Sequence, residues 1–283
     1  MQSPKPRSIA AKTHEWLDKN SHLWRPNTMR AYKTKASIFF DWLGENSLTR
    51  ETLDAFASHL FQQGKASKTV GTYLDTLKTF NTNVWKIQHL FPAERLRTKS
   101  NPYRFFTLTQ AQELIKYMNA SHPKMSIFVR LMFYTFLYPC EVRMLRVGDI
   151  NFHTDSIRID ASFAKNKQTQ DVLILDKGFA REIENFVRNR PASAYLFGSD
   201  AEPHPTNQIR LEHQKILKSC GYDVKEYQLF SWIHSAARIA DKNGMGAKPL
   251  QVFMRRSSLA RTEQYLDKMN PKLSDFANKM PLI

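Results

Sequence analysis

The sequence predicts a mainly α fold of the α+β kind. A helical N-terminal domain precedes a mainly helical second domain that carries a small three-stranded antiparallel sheet. Apolar residues recur at helical spacing through most of the 283 residues, and that spacing gives amphipathic helices. Residues 150–176 instead alternate in the manner of short strands. Residues 94–106 (ERLRTKSNPYRFF) keep neither period, are basic and contain Pro102. They separate the two parts as a linker. The expected domains are therefore 1–93 and 107–269, with a tail at 270–283.

In the first domain, the segment around Trp16 and Leu17 turns amphipathic after a basic start. From Thr28, the residues Tyr32, Ala36, Phe39 and Leu43 share one helical face, and Gly44 can end the helix. A second helix begins near Thr49, shows Leu53, Phe56 and Leu60 on one face and stops at Gly64. A third follows Ser67 with Val70, Tyr73, Leu77, Phe80 and Val84. Short connections between such helices make a compact bundle. Its polar faces carry Arg30, Lys33, Lys35, Lys65, Lys68, Lys78 and Lys86. Each can be an ordinary solvated cation, and together they suit phosphate contacts.

In the second domain, Thr109 opens a helix with Gln112 at the capping-box position. Ile127–Tyr138 is a strongly apolar helix. The strand signals NFHTDSIRID and DVLILD flank the polar loop AKNKQTQ, which displays Lys165 and Lys167 near a hairpin tip. Helices are expected around 179–189, 206–219 and 227–243. The last helical stretch, Leu250–Met269, carries Arg255 and Arg256, then Ser257 and Ser258, either of which can cap a helix. On that helix Tyr265 lies one turn after Arg261. A tyrosine beside arginines in a basic chain is a candidate nucleophile toward a phosphodiester. By itself it reads more readily as a half-buried tyrosine on an amphipathic helix.

Composition narrows the partner. Lys and Arg number 42 against 26 Asp and Glu, a net charge of +16, which points to a polyanion. The longest apolar run, Ile127–Cys140, is interrupted by Arg130 and is too short for a bilayer span. The first residues contain no apolar core of a secretory signal. Two cysteines, Cys140 and Cys220, give neither a metal spacing nor a disulfide framework. A cytoplasmic, reduced protein that binds nucleic acid is expected.

Five blocks in order carry a resemblance: FFTLTQAQEL, YTFLYPCEVRMLRVGDI, AKNK, LFSWIHSAARIADKNG and RRSSLARTEQYL. Together they resemble the tyrosine recombinase, or phage-type integrase, family, and the N-terminal bundle is similar to that family's core-binding domain. The resemblance implies DNA integration or recombination in which a tyrosine attacks a phosphodiester, forming a 3′-phosphotyrosine and freeing a 5′-hydroxyl. The partner so implied is double-stranded DNA, and no metal, nucleotide or other small-molecule cofactor is needed, because the covalent intermediate keeps the bond energy. Cations and donors around the phosphate stabilise the transition state.

Carried over by position, Tyr265 matches the nucleophile and Lys165 the hairpin lysine that protonates the leaving oxygen, with Lys167 a second choice. Glu141 matches the acidic residue after the first arginine block. Arg256 stands where the family has a late histidine, and His234 follows the second-arginine position. That second arginine falls on Ile233, the histidine before it on Phe230, and the first arginine on Tyr138. The catalytic set implied is Tyr265, Lys165, Arg256 and His234. The DNA contacts expected are Arg30, Lys33, Lys68, Lys78, Arg104, Lys167 and Arg255. The family also implies a homo-tetramer on DNA, docked through the tail, and association with the nucleoid. Because Tyr138 and Ile233 occupy arginine positions, an alternative expectation stands beside cleavage. The chain can be an inactive descendant that holds DNA as an accessory or regulatory factor.

Overall fold

The computed structural model describes residues 6–91 and 104–269. The chain divides into two compact units, Met1–Asn101 and Pro102–Ile283. Most of the expected linker and all of the tail after Met269 lie outside the described residues.

In the first unit, α1 (Pro6–Lys19), α2 (Pro26–Leu43), α3 (Arg50–Gln62) and α4 (Ser67–Phe80) form a helical bundle, and a π-helical turn, Asn81–Trp85, extends α4. The apolar faces read from the sequence meet in one core, where Leu17, Phe39, Leu43, Phe56, Leu60, Leu77 and Phe80 are wholly buried. Local chemistry sets the ends. Pro26 occupies the first turn of α2, where its missing N–H costs nothing. Gly44 closes the helix at φ 56°, a backbone region open to glycine. Thr49 starts α3 through a reciprocal cap: its hydroxyl accepts from Thr52 N at 3.3 Å, and the Thr52 hydroxyl accepts from Thr49 N at 2.9 Å. Trp85 Nε1 donates to Thr13 Oγ1 at 2.8 Å, which satisfies two buried polar groups and ties the π-turn to α1.

The second unit runs α5 (Leu108–Ser121), α6 (Pro123–Thr135), α7 (Pro139–Met144), β1 (Ile150–Asn151), β2 (Ser156–Ile159), β3 (Gln170–Leu173), α8 (Lys177–Val187), α9 (Thr206–Ser219), α10 (Phe230–Lys242), α11 (Ala247–Phe253) and α12 (Leu259–Met269). The sheet is antiparallel in the order β1-β2-β3, with Ile157 opposite Val172. Helix α10 is the hub of the core: it packs on α5, α6, α11 and α12 and buries Trp232, Ile233, Ala236 and Ala237.

Two boundaries differ from those expected, and a third break falls just before the serine pair read as a cap. The cap of α5 is Thr107, with Gln110 reaching back to its N–H, two residues earlier than Thr109 and Gln112. The apolar helix ends at Thr135, because Phe136 is left-handed at φ 55° and the chain restarts as α7 behind Pro139. The stretch from Leu250 to Met269 is two helices. Arg255 is left-handed at φ 54° and breaks it, and Ser258 Oγ accepts from Arg261 N at 3.3 Å to start α12.

Candidate active site

The site is assembled around one carboxylate. Glu141 sits in the first turn of α7 and is fully buried, a position that a charge tolerates only when paired and hydrogen-bonded. Its Oε2 accepts from Tyr138 N at 2.8 Å and from Arg255 Nη2 at 2.5 Å. Its Oε1 accepts from Lys165 N at 2.6 Å and from Arg255 Nη1 at 3.0 Å. Arg255 Nη2 also donates to Phe136 O at 3.4 Å. The pair is bidentate, and both side chains are nearly inaccessible, so strong directional bonds offset the desolvation of the two charges.

Three segments distant in sequence are thereby fixed together: the start of α7, the loop between β2 and β3, and the turn between α11 and α12. Where they meet is an open pocket of about 580 Å³ lined by Tyr138, Lys165, Asn166, Arg255, Arg256, Ser257, Ser258 and Arg261. Lys165, Arg256 and Arg261 bring positive charge to this lining, while Arg255 is paired with the buried Glu141. Such a cavity suits the two non-bridging oxygens of a phosphodiester.

Tyr265, on α12, reaches this pocket's lining through Arg256. It is 3% exposed, and its hydroxyl is 2.7 Å from His234 Nδ1. The Arg256 guanidinium stacks 4.0 Å from the Tyr265 ring centre and donates through Nη1 to Arg261 O at 3.1 Å, which fixes it over the ring. Burial, and then the charge of Arg256, push His234 down to about 4. The imidazole is therefore neutral near neutral pH. The aromatic rings continue from Tyr265 through His234 (5.6 Å) and Phe230 (6.4 Å) to Tyr138 (5.5 Å). Burial raises the Tyr138 phenol above its ordinary value, so it stays protonated and can donate one hydrogen bond without charge.

Of the residues singled out as catalytic, Tyr265 touches both His234 and Arg256, and Lys165 lines the same pocket as Arg256 with an exposed side chain. Ile233 is buried in the core at 2% exposure and offers no donor. Phe230 is 43% exposed. Among the residues expected on DNA, Lys167 is exposed on the hairpin loop at φ 59°. Arg30, Lys68 and Lys78 are exposed on the first unit, and Lys33 there bonds Asp18 at 2.7 Å. Arg104 pairs with Glu226 at 2.6 Å. Arg255 is held by Glu141, as described above. Arg261, Asn166, Ser257 and Ser258 line the pocket without having been singled out as site residues. Arg261 was legible as one helical turn from Tyr265, whereas no local pattern marks Asn166. Among the described residues, no group of three His, Cys, Asp or Glu is placed to hold a metal ion, and no helix is long and apolar enough to cross a membrane.

Several known proteins resemble this chain in sequence or in fold. The tyrosine recombinase XerA of Pyrococcus furiosus is 26% identical over 251 residues, covering 84% of this chain and 82% of that protein. The Tn1549 transposon integrase, solved in complex with a circular intermediate DNA, superposes with a TM-score of 0.77 at 16% identity, over 94% of this chain and 99% of that one. A lambda integrase solved as a tetramer bound to a Holliday junction gives a TM-score of 0.73 at 14% identity, covering 94% and 78%. At those identities the structural matches establish the fold. The family model described as the phage integrase family matches residues 104–271, a span holding the buried carboxylate, the cationic pocket and Tyr265, and the chain belongs to that family.

Proposed function

We propose that this protein binds duplex DNA and cleaves and rejoins it during DNA integration or recombination. Tyr265 is the nucleophile that forms a 3′-phosphotyrosine. The observation that carries the reading is the contact of the Tyr265 hydroxyl with His234, beside Arg256, which stacks on the Tyr265 ring and lines a pocket together with Arg261 and Lys165. A scissile phosphate in that pocket would meet Arg256 and Arg261, which stabilise the charge spread over its oxygens. Lys165, on the far wall, protonates the departing 5′-oxygen. The Tn1549 and lambda integrases, which share this fold, were solved on DNA, which supports duplex DNA as the partner. The lambda integrase tetramer on a Holliday junction supports a homo-tetramer on DNA, and a nucleoid location follows from DNA as the partner.

Tyr138 and Ile233 leave two guanidinium positions of the family empty. Each lost donor costs about 10²–10³ in rate, so cleavage is slow. In a nicked suicide duplex, chosen for binding from a randomised pool, the fragment beyond the cleavage point diffuses away and the covalent adduct accumulates. The expected result is a slowly forming protein–DNA adduct, abolished in Tyr265→Phe. Binding without any adduct would establish the second reading, an accessory DNA-binding protein that has lost catalysis. That reading is favoured by the burial of Ile233, which cannot reach a phosphate.

A further inference from the structure

Cleavage requires the Tyr265 hydroxyl to lose its proton as the oxygen attacks phosphorus, and the groups around it differ in their ability to take one. Arg256, stacked on the ring, is permanently charged and has no acceptor. Both oxygens of Glu141 are occupied by two donors each. Phe230, one turn before His234 on the same side of α10, has no heteroatom. His234 Nδ1 is at hydrogen-bond distance, 2.7 Å, and is joined to the phenol by a ring contact as well.

We propose that His234 is the proton acceptor for Tyr265, receiving the phenolic proton on Nδ1 as the Tyr265 oxygen attacks. The step balances as follows. The Tyr265 O–H bond breaks and its proton passes to Nδ1. The P–O bond to Tyr265 forms while the bond to the 5′-oxygen breaks, and a Lys165 Nζ proton goes to the leaving oxygen. Religation runs the same transfers backwards: the 5′-hydroxyl gives its proton back to Lys165 Nζ as its oxygen attacks, and the imidazolium returns its proton to the departing Tyr265 oxygen. The neutral ring needed at the start is what burial and Arg256 enforce. A bound phosphodiester brings negative charge against Arg256, which offsets that repulsion and makes the imidazolium easier to form when it is needed.

This inference rests on cleavage through Tyr265, and its test separates the two. Adduct formation on the nicked duplex would be timed for the full chain and for His234→Ala and His234→Gln, each with tyrosine or with 3-fluorotyrosine at position 265. Fluorination makes a phenol more acidic and lessens its need for a base. Removing a general base slows a step by about 10²–10⁴-fold, so both variants should slow adduct formation by at least about 10²-fold. Fluorotyrosine should recover a large part of that loss while changing the His234 protein little. Glutamine keeps a neutral hydrogen-bonding side chain but cannot accept a full proton. Restoration of the rate by glutamine, an unchanged rate in His234→Ala, or a loss that fluorotyrosine leaves untouched overturns the assignment while cleavage stands. No adduct from the unaltered protein on DNA that it binds overturns the cleavage reading and this one with it.

Discussion

Glu141 shows how far a single residue reaches. Four donors converge on its carboxylate, and replacing it leaves Arg255 buried, charged and unpaired. Breaking a buried pair by removing one partner costs about 3–5 kcal/mol, whereas replacing both with apolar residues of similar size is often near neutral. Glu141→Leu should therefore destabilise the protein by about that amount in urea unfolding, and adding Arg255→Met should recover part of the loss rather than deepen it. Additive losses would show the two side chains to be independent. The acidic residue itself was legible, because it follows the first arginine block of the family. Its partner was not: Arg255 lies 114 residues away in sequence, and nothing beside it marks it for an internal carboxylate rather than for a phosphate. Tyr265 was legible through its helix and its arginine neighbours. The histidine that touches its hydroxyl sits on another helix, α10, so the contact belongs to the fold and not to any local pattern.

At the scale of elements, the sequence speaks clearly where a helix has one apolar face and an obvious cap. Helices α2, α3 and α4 begin and end close to where Thr28, Gly44, Thr49, Gly64 and Ser67 indicated. It speaks less clearly where two neighbouring residues can serve. Thr107 rather than Thr109 caps α5, and its removal as Thr107→Ala should cost about 1 kcal/mol, read as a lower urea midpoint. The break at Phe136 was hidden for another reason: it is not glycine, and left-handed backbone at such a residue is held by tertiary packing. The start of α12 was legible, because the serine pair before it offered a cap. The pairing of α9 with α10 carries a pH dependence of its own. Trp232 Nε1 donates to His213 Nε2 at 3.0 Å, and burial pushes His213 down to about 4. The unfolded chain binds a proton near 6.5 and the folded one only near 4. Stability is therefore full above the unfolded value, falls as pH drops from there toward 4, and levels off below. His234 adds in the same direction. Denaturant unfolding at pH 7 and pH 5 should differ by about 2 kcal/mol for each buried histidine, and His213→Gln should remove about half of that difference. An undiminished pH slope in His213→Gln would assign the effect elsewhere.

For the whole molecule the governing quantity is charge, legible without any fold because it is a count: +16. A count does not say which cations meet phosphates, and salt dependence does. Each phosphate neutralised releases counterions, so log K falls against log salt with a slope of about −0.9 per contact on duplex DNA. Lys165 and Arg256 line the pocket, while Arg255 is already neutralised by Glu141. Lys165→Ala and Arg256→Ala should each lower the slope by about 1. Arg255→Met should leave the slope unchanged, because a cation bound to a buried carboxylate has no counterion to release. Lys68→Ala and Lys78→Ala, at exposed positions on the first unit, should each lower it by about 1 if that helical face follows the backbone. The measurement is fluorescence anisotropy of a labelled duplex between about 50 and 200 mM salt, where shallow slopes for the Lys165 and Arg256 variants and an unchanged slope for Arg255→Met are expected together. A fall in slope on removing Arg255 would mean that DNA draws its guanidinium away from Glu141. The hub would then open on binding, and the loop carrying Lys165 would lose its anchor in the complex.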